Sequence, residues 1–301
     1  MSILPHTQGF DKSCLAPAWE TCWTASAMNH EGVSMMFRIT AASLVLGTLA
    51  MNSAAAQEIH HDAVNEANNP LTPKITINLQ DYYIPSFNDI PGSDPHANQF
   101  LLRGLIPSDA FGLPQLMRFT LPIATSPDPA GGYVTGLGDL TLMDLFILPK
   151  VGETTLGIGP MLVIPTATDE SLGAGKWQVG AAGVVVSPQS WGLLGGLVTY
   201  QTSFAGQDDR EDVSLLTAQP ILNINLDDGF YLRSSATWNF DLHDGDWYIP
   251  VGFGLGKVFA LENGATMNAF IEPQYTVFKD GPGSPRWQIF AGVNFQLPIG
   301  K

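Results

Sequence analysis

The residues from Trp287 to Leu297, Trp-Gln-Ile-Phe-Ala-Gly-Val-Asn-Phe-Gln-Leu, alternate in character: odd positions carry Trp, Ile, Ala, Val, Phe and Leu, even positions Gln, Phe, Gly, Asn and Gln. Successive side chains of a strand point to opposite faces, so this period predicts a strand between two unlike environments. The pattern recurs upstream. From Phe230 to Phe240 the even positions are Phe, Leu, Ser, Ala, Trp and Phe, and the odd ones Tyr, Arg, Ser, Thr and Asn. Trp247 to Leu255 puts Trp, Ile, Val, Phe and Leu on one side and its glycines on the other. Met267 to Val277 places Asn268, Glu272, Gln274 and Thr276 away from its apolar stripe.

Working backwards, weaker segments of the same kind fall at 74–83, 97–106, 113–123, 134–148, 153–165, 175–187, 191–203 and 212–226. With 229–241, 246–259, 265–278 and 285–297 they make about 12 strands, an even number whose lengths suit tilted crossings of a membrane. The links between them alternate along the early and middle chain. Those at 107–112, 149–152, 188–190, 227–228 and 260–264 are short, and those at 84–96, 124–133, 166–174 and 204–211 are longer; 242–245 and 279–284 blur the rule. A spanning helix is excluded over these segments, because nothing after residue 56 offers about 20 consecutive apolar residues.

An alternating apolar face has two physical destinations, the core of a soluble sandwich or the lipid around a closed barrel. A sandwich would put Lys, Glu and Thr on its outer face. Here the second face holds Gly252, Gly254, Gly256, Ala182, Asn223, Asn225 and Gln288, which suit a narrow polar lumen. In hydrocarbon every backbone group needs an internal partner, which antiparallel strands achieve only by closing. The expected fold is therefore all-β, a closed antiparallel transmembrane β-barrel of about 12 strands. Tyr82, Tyr83, Trp191, Tyr231, Trp247 and Trp287, near strand ends, are candidates for aromatic girdles at the two membrane surfaces.

The N-terminal region adds an address. Phe37-Arg38 and an apolar run from Ile39 to Met51 precede Asn52-Ser-Ala-Ala-Ala-Gln57, where Ala54 and Ala56 supply the small residues of a signal-peptidase site. The chain divides accordingly: 1–34 an upstream extension from a misplaced start, 35–56 a signal peptide, 57–73 a periplasmic segment, and 74–301 the barrel. Both cysteines, Cys14 and Cys22, fall in the first part, so the exported portion has neither disulfides nor thiolate metal sites.

Composition agrees with a surface wetted by something besides water: only 14% of the 301 residues are charged, against about 25% in soluble domains. With Lys plus Arg at 13 against 28 for Asp plus Glu, and a net charge of -15, a phosphate-tracking nucleic-acid binder is excluded.

Candidate chemistry is concentrated on strand positions that carry charge. Arg103, Arg118, Asp139, Asp144, Arg233 and Glu272 would be costly against lipid, so they are expected to form a polar network in the lumen. Lys257 breaks the pattern by sharing parity with Trp247. No catalytic, metal or cofactor set is expected. His60, His61, His96 and His243 match no metal-ligand motif, Asp241-Leu-His-Asp-Gly-Asp246 reads as an acidic turn, and no histidine stands to activate Ser171, Ser203 or Ser214. The run Asp208-Asp-Arg-Glu-Asp212 reads as a solvated loop, with cation-bridged contact to lipopolysaccharide as a second use.

The segments Gly136-Leu-Gly-Asp-Leu-Thr-Leu-Met-Asp-Leu-Phe146, Gly157-Ile-Gly-Pro-Met-Leu-Val-Ile-Pro-Thr-Ala-Thr-Asp169, Leu172-Gly-Ala-Gly-Lys-Trp177 and Gln219-Pro-Ile-Leu-Asn-Ile-Asn225 resemble a family of Gram-negative outer-membrane barrels. That family takes its name from a member associated with meta-pathway phenol degradation and is often labelled "transporter". The resemblance covers roughly 95–300 and implies export and an outer-membrane barrel. One departure is the C-terminus, where Pro298-Ile-Gly-Lys301 follows the last strand in place of a terminal aromatic. The expected function is a channel or transporter for small solutes, hydrophobic or aromatic ones included. The alternative is a non-conducting structural or surface-interaction barrel. Expected partners are outer-membrane lipids, lipopolysaccharide, the barrel assembly machinery and a small hydrophobic solute.

Overall fold

The computed structural model describes residues 60–90, 95–128, 131–261 and 264–298. The expected leader, with its boundaries at 34 and 56, lies outside the described residues.

A short helix, α1 (His61–Asn68), precedes the sheet. The first strands are β1 (Ile75–Phe87), β2 (Ala97–Ser108), β3 (Gln115–Pro127), β4 (Tyr133–Leu137), β5 (Leu140–Ile147) and β6 (Thr155–Ile164). They are followed by β7 (Lys176–Gln189), β8 (Gly192–Gly206), β9 (Ser214–Asn225), β10 (Phe230–Ser234) and β11 (Trp238–Asp241). The last are β12 (Trp247–Gly252), β13 (Gly254–Ala260), β14 (Thr266–Asp280) and β15 (Pro285–Leu297). All pairings are antiparallel; besides sequence neighbours, β3 pairs β5, β9 pairs β11, β10 pairs β13, β12 pairs β14, and β1 pairs β15 from Ile75↔Leu297 to Phe87↔Pro285. That seam closes the sheet.

Three staves are interrupted. β4 and β5 both pair β3, β10 and β11 both pair β9, and β12 and β13 both pair β14, so each couple is one crossing in two halves. The fold is a closed barrel of twelve staves, as the periodicity predicts. The two chain ends share one mouth with the links 109–114, 148–154, 190–191, 226–229 and 261–265. The opposite mouth carries the longest link, 165–175, together with 207–213 and the tight turns 242–246 and 281–284.

The alternation resolves into wall and lumen. Ile77, Leu79, Met117, Ile123, Val179, Val185, Val198 and Ile271 are exposed on the outside, a continuous apolar surface larger than a water-facing monomer tolerates. Gln80, Gln178, Asn223, Asn268, Gln274 and Gln288 are buried on the inside. Lys257 lies on the outer wall near the terminal mouth, where its ammonium sits 4.1 Å from the Phe230 ring centre. There an aromatic face replaces part of the lost hydration.

One bulge resets this parity. Ile123 pairs Leu137 while Thr120 pairs Thr141, so the three residues 138–140 stand opposite two, 121–122; the one extra residue falls at Gly138-Asp139, and Gly138 still donates its amide to the Pro122 carbonyl at 3.0 Å. Even residues face inward in β4 and odd residues in β5.

Candidate functional site

The lumen contains an ionic knot, an aromatic stack, a basic chamber and an apolar floor. The knot is built around Glu272 of β14, whose side chain is 0% exposed. Its Oε2 accepts from Arg233 Nε at 2.7 Å and from Ser235 Oγ at 2.8 Å, and its Oε1 accepts from the Ser235 amide at 2.8 Å and from Gln274 Nε2 at 3.0 Å. Glu272 reaches β10 across the intervening stave because Gly252 and Gly254 lack side chains there; a Cβ on Gly252 would overlap Oε1. The break between β10 and β11 has the same origin, since the Ser235 amide serves the carboxylate instead of a neighbouring strand.

Arg233 also lies over the Phe270 ring at 3.7 Å and 5.3 Å from the Phe290 centre. Phe290 meets Phe270 edge-on at 4.9 Å and stacks on Tyr82 at 4.2 Å with planes 5° apart. These rings line the lumen across three adjacent staves, β14, β15 and β1, so the charge of the knot and the chamber beyond it share an aromatic wall.

Beyond Tyr82 is a cavity of about 170 Å³ lined by Arg103, Arg118, Thr120, Thr141, Met143 and Leu197, with Thr217, Gln219 and Thr237 opposite. Arg103 donates through one guanidinium nitrogen to Gln80 Oε1 at 2.6 Å, and Gln80 is held by Asn294 at 2.9 Å. The buried Arg103 Nε has no partner among the described residues. Arg118 makes no hydrogen bond or ion pair with any described residue. Two cations thus share a chamber whose other polar groups are hydroxyls and an amide.

The floor separates this chamber from the terminal mouth. Leu71 packs with Leu105, Leu116, Leu145, Val184, Val186 and Leu193, all buried inward positions. Beside it α1 lies inside the mouth, with Val64 and Ala67 against Tyr231 and Val258. Its polar edge is pinned: Asn225 Nδ2 donates to Asn65 Oδ1 at 2.9 Å, Asn268 Nδ2 to Asn68 Oδ1 at 3.0 Å, and Asn65 Nδ2 to the Gln189 carbonyl at 2.9 Å. Segment 60–74 therefore plugs one end of the barrel.

Arg103, Arg118, Arg233 and Glu272 all face the lumen, but in two separate groups. Asp139 and Asp144 do not join them. Asp139 sits in the bulge, where its oxygens accept from the Ala167 amide at 3.2 Å and the Ala174 amide at 2.8 Å, tying the wall to link 165–175. Asp144 pairs Met117 on the outer face, contrary to the expectation for it, because the bulge has reversed the parity of β5. Tyr82 and Tyr231 point inward, Tyr231 bonding Asn268 Oδ1 at 2.7 Å, whereas Tyr83, Trp191 and Trp287 are exposed. The threonines of the chamber went unsingled because isolated threonines carry no motif.

At the far mouth, Lys176 and Asp212 pair at 3.2 Å, and hydrogen bonds from Lys176 and Ser203 hold the Asp212 carboxyl below its ordinary range. In the turn 242–246, partial burial and the neighbouring Asp241 push Asp244 and Asp246 the other way. Among the described residues no group of three or more His, Cys, Asp or Glu side chains is placed to hold a metal ion.

No family model and no curated protein matches the chain. Among solved structures it is similar to an outer membrane channel from Pseudomonas putida F1, with a TM-score of 0.56 and 17% identity over 76% of this chain and 99% of that one. A porin named KdgM gives a TM-score of 0.41 at 8% identity, over 74% of this chain and 99% of its own. At such identities the likeness is one of fold.

Proposed function

We propose that the chain is an outer-membrane barrel that passes small solutes through its lumen, with segment 60–74 as the gate. The observation that carries this reading is the 170 Å³ chamber inside the closed wall, with polar groups at mid-height and an apolar floor. A purely structural barrel would gain more from a fully packed interior than from a chamber holding charge. The exposed apolar wall, the acidic links of the far mouth and the resemblance of the four quoted segments support export to the outer membrane, with lipid and lipopolysaccharide as neighbours and the barrel assembly machinery as its folding partner. Tyr82, Met143 and Leu197 give the chamber the apolar surface that a hydrophobic or aromatic solute requires.

The second reading, a sealed barrel, is favoured by the burial of Val64 and Leu71 across the terminal mouth. Planar-bilayer recording and liposome swelling with the reconstituted protein separate the two. Solute flux that rises when Val64→Asp loosens α1 is the expected outcome, and a folded Val64→Asp barrel as impermeable as the parent would establish the sealed form. Fractionation of the heat-modifiable protein with outer membrane checks the location.

A further inference from the structure

The chamber has a chemical preference that follows from its charges. Arg103 and Arg118 enter it from adjacent strands, β2 and β3, in staggered register: Arg103 pairs Thr120 and Arg118 pairs Leu105. The lumenal carboxylate Glu272 is committed to Arg233, Ser235 and Gln274 on the other side of the aromatic stack. Asp81 and Asp144, each adjacent in sequence to a residue lining the chamber, both have outward parity, Asp81 opposite to Gln80 and Tyr82 and Asp144 paired with Met117. The two guanidiniums therefore face a cavity in which no described side chain is an anion, and the Arg103 Nε is buried without a partner.

A guanidinium satisfies its donors best on a planar oxyanion, above all a carboxylate accepting two bonds at once. Thr120, Thr141, Thr217 and Thr237 add hydroxyls that can donate to the same oxyanion. Besides the Tyr82 ring and the Gln219 amide the lining has Met143 and Leu197, which offer no polar partner and suit a short hydrocarbon. The volume matches: an apolar cavity of about 150 Å³ holds benzene, so 170 Å³ holds a solute of about six heavy atoms.

We infer that the chamber is a binding site for a small monocarboxylate, its carboxylate between Arg103 and Arg118 and its apolar body against Met143 and Leu197. This deepens the passage reading by naming a solute class, and it rests on that reading only for transport; binding stands by itself.

The test is calorimetric titration of the full-length barrel, folded in detergent, with butyrate, 1-butanol and inorganic phosphate, followed by liposome swelling with the same solutes. Butyrate should bind at least tenfold more tightly than 1-butanol or phosphate, and Arg118→Gln should weaken it at least tenfold. Thr141→Glu supplies a resident carboxylate, so it should abolish butyrate binding while raising the melting temperature; this variant covers the case in which Arg118→Gln does not fold. Equal binding of butyrate and 1-butanol, binding untouched by both substitutions, or phosphate binding as tightly as butyrate each overturns the assignment. Butyrate binding without flux overturns passage and leaves the site intact, whereas equal flux of butyrate and 1-butanol without binding does the reverse.

Discussion

The two halves of the lumen solve one problem in opposite ways. Near the terminal mouth, the inward positions that face the floor are Leu105, Leu116, Leu145, Val184, Val186 and Leu193, with Asn225 and Asn268 beside them, and the space is filled by Leu71 and α1. At mid-height, the same staves present Arg103, Arg118, Thr120 and Thr141, and space is left. On β3 the change from Leu116 to Arg118 takes one inward step. The wall geometry is common to both halves, so the identity of inward side chains alone decides whether a barrel is packed like a core or kept as a chamber. The apolar half is closed by a removable segment of chain, and the polar half is held by side chains that cannot leave.

This contrast can be broken at its strongest point by Glu272→Ala. Removing one partner of a buried ion pair leaves Arg233 charged and unsatisfied, and the expected loss is about 3–5 kcal/mol in denaturant unfolding of the detergent-folded barrel. Glu272→Gln should lose less, because it keeps the side-chain volume and one acceptor oxygen for the knot. In the other half, Val64→Asp should undock α1 with a loss of about 3 kcal/mol of docking. The barrel itself should stay folded, and limited proteolysis should then cut the N-terminal segment while the heat-modified shift on gels is unchanged. A smaller effect separates lumen from wall: Gly256→Ala drives a methyl into the Tyr231 ring and should cost about 1–3 kcal/mol. Gly183→Ala, with nothing within 4 Å of its new methyl, should stay within about 0.5 kcal/mol.

The smallest effects lie at the far mouth and depend on pH. Asp244 and Asp246 have raised values, so their ionisation opposes the folded turn at neutral pH, and turn 242–246 should tighten as pH falls through those raised values. Asp212 has a lowered value, so the stability it contributes persists further into acid and is lost only as pH falls through that lowered value. Hydrogen exchange should therefore slow first in 242–246 and quicken later, at lower pH, in 207–213. A single transition shared by both links would contradict the assignment.

The strands were legible because their two faces meet such different media that almost every position declares its side. From Phe230 to Phe240 and from Met267 to Val277 the parity that carries Arg233 and Glu272 faces the lumen, and Tyr231, expected in a girdle for its nearness to a strand end, shares it. Legibility failed where register departs from simple counting. A single segment over 134–148 cannot place both Asp139 and Asp144 inward, since they differ in parity, and the bulge at Gly138 and Asp139 decides the matter against Asp144. Tyr82 was hidden for another reason: position near a strand end suggested a girdle, whereas its even parity, shared with Gln80, assigned it to the lumen. The plug gave only a weak signal, because α1 is short and the faces it buries, Val64 and Ala67 on one side and asparagines on the other, match a wall that is itself part polar.

The seam between β1 and β15 has a kinetic consequence. Its contacts join residues at opposite ends of the barrel; Gln80 and Asn294, bonded at 2.9 Å, are 214 positions apart. Every other stave can form against its sequence neighbour through a local hairpin, but this one requires the whole sheet to curl first, the step with the largest loop-closure entropy and the slowest expected rate. Until it occurs the chain is an open sheet with two unpaired edges, the form most exposed to pairing with other chains. The polar bond between Gln80 and Asn294 also orients Arg103, so completion of the circle and assembly of the basic chamber are one event.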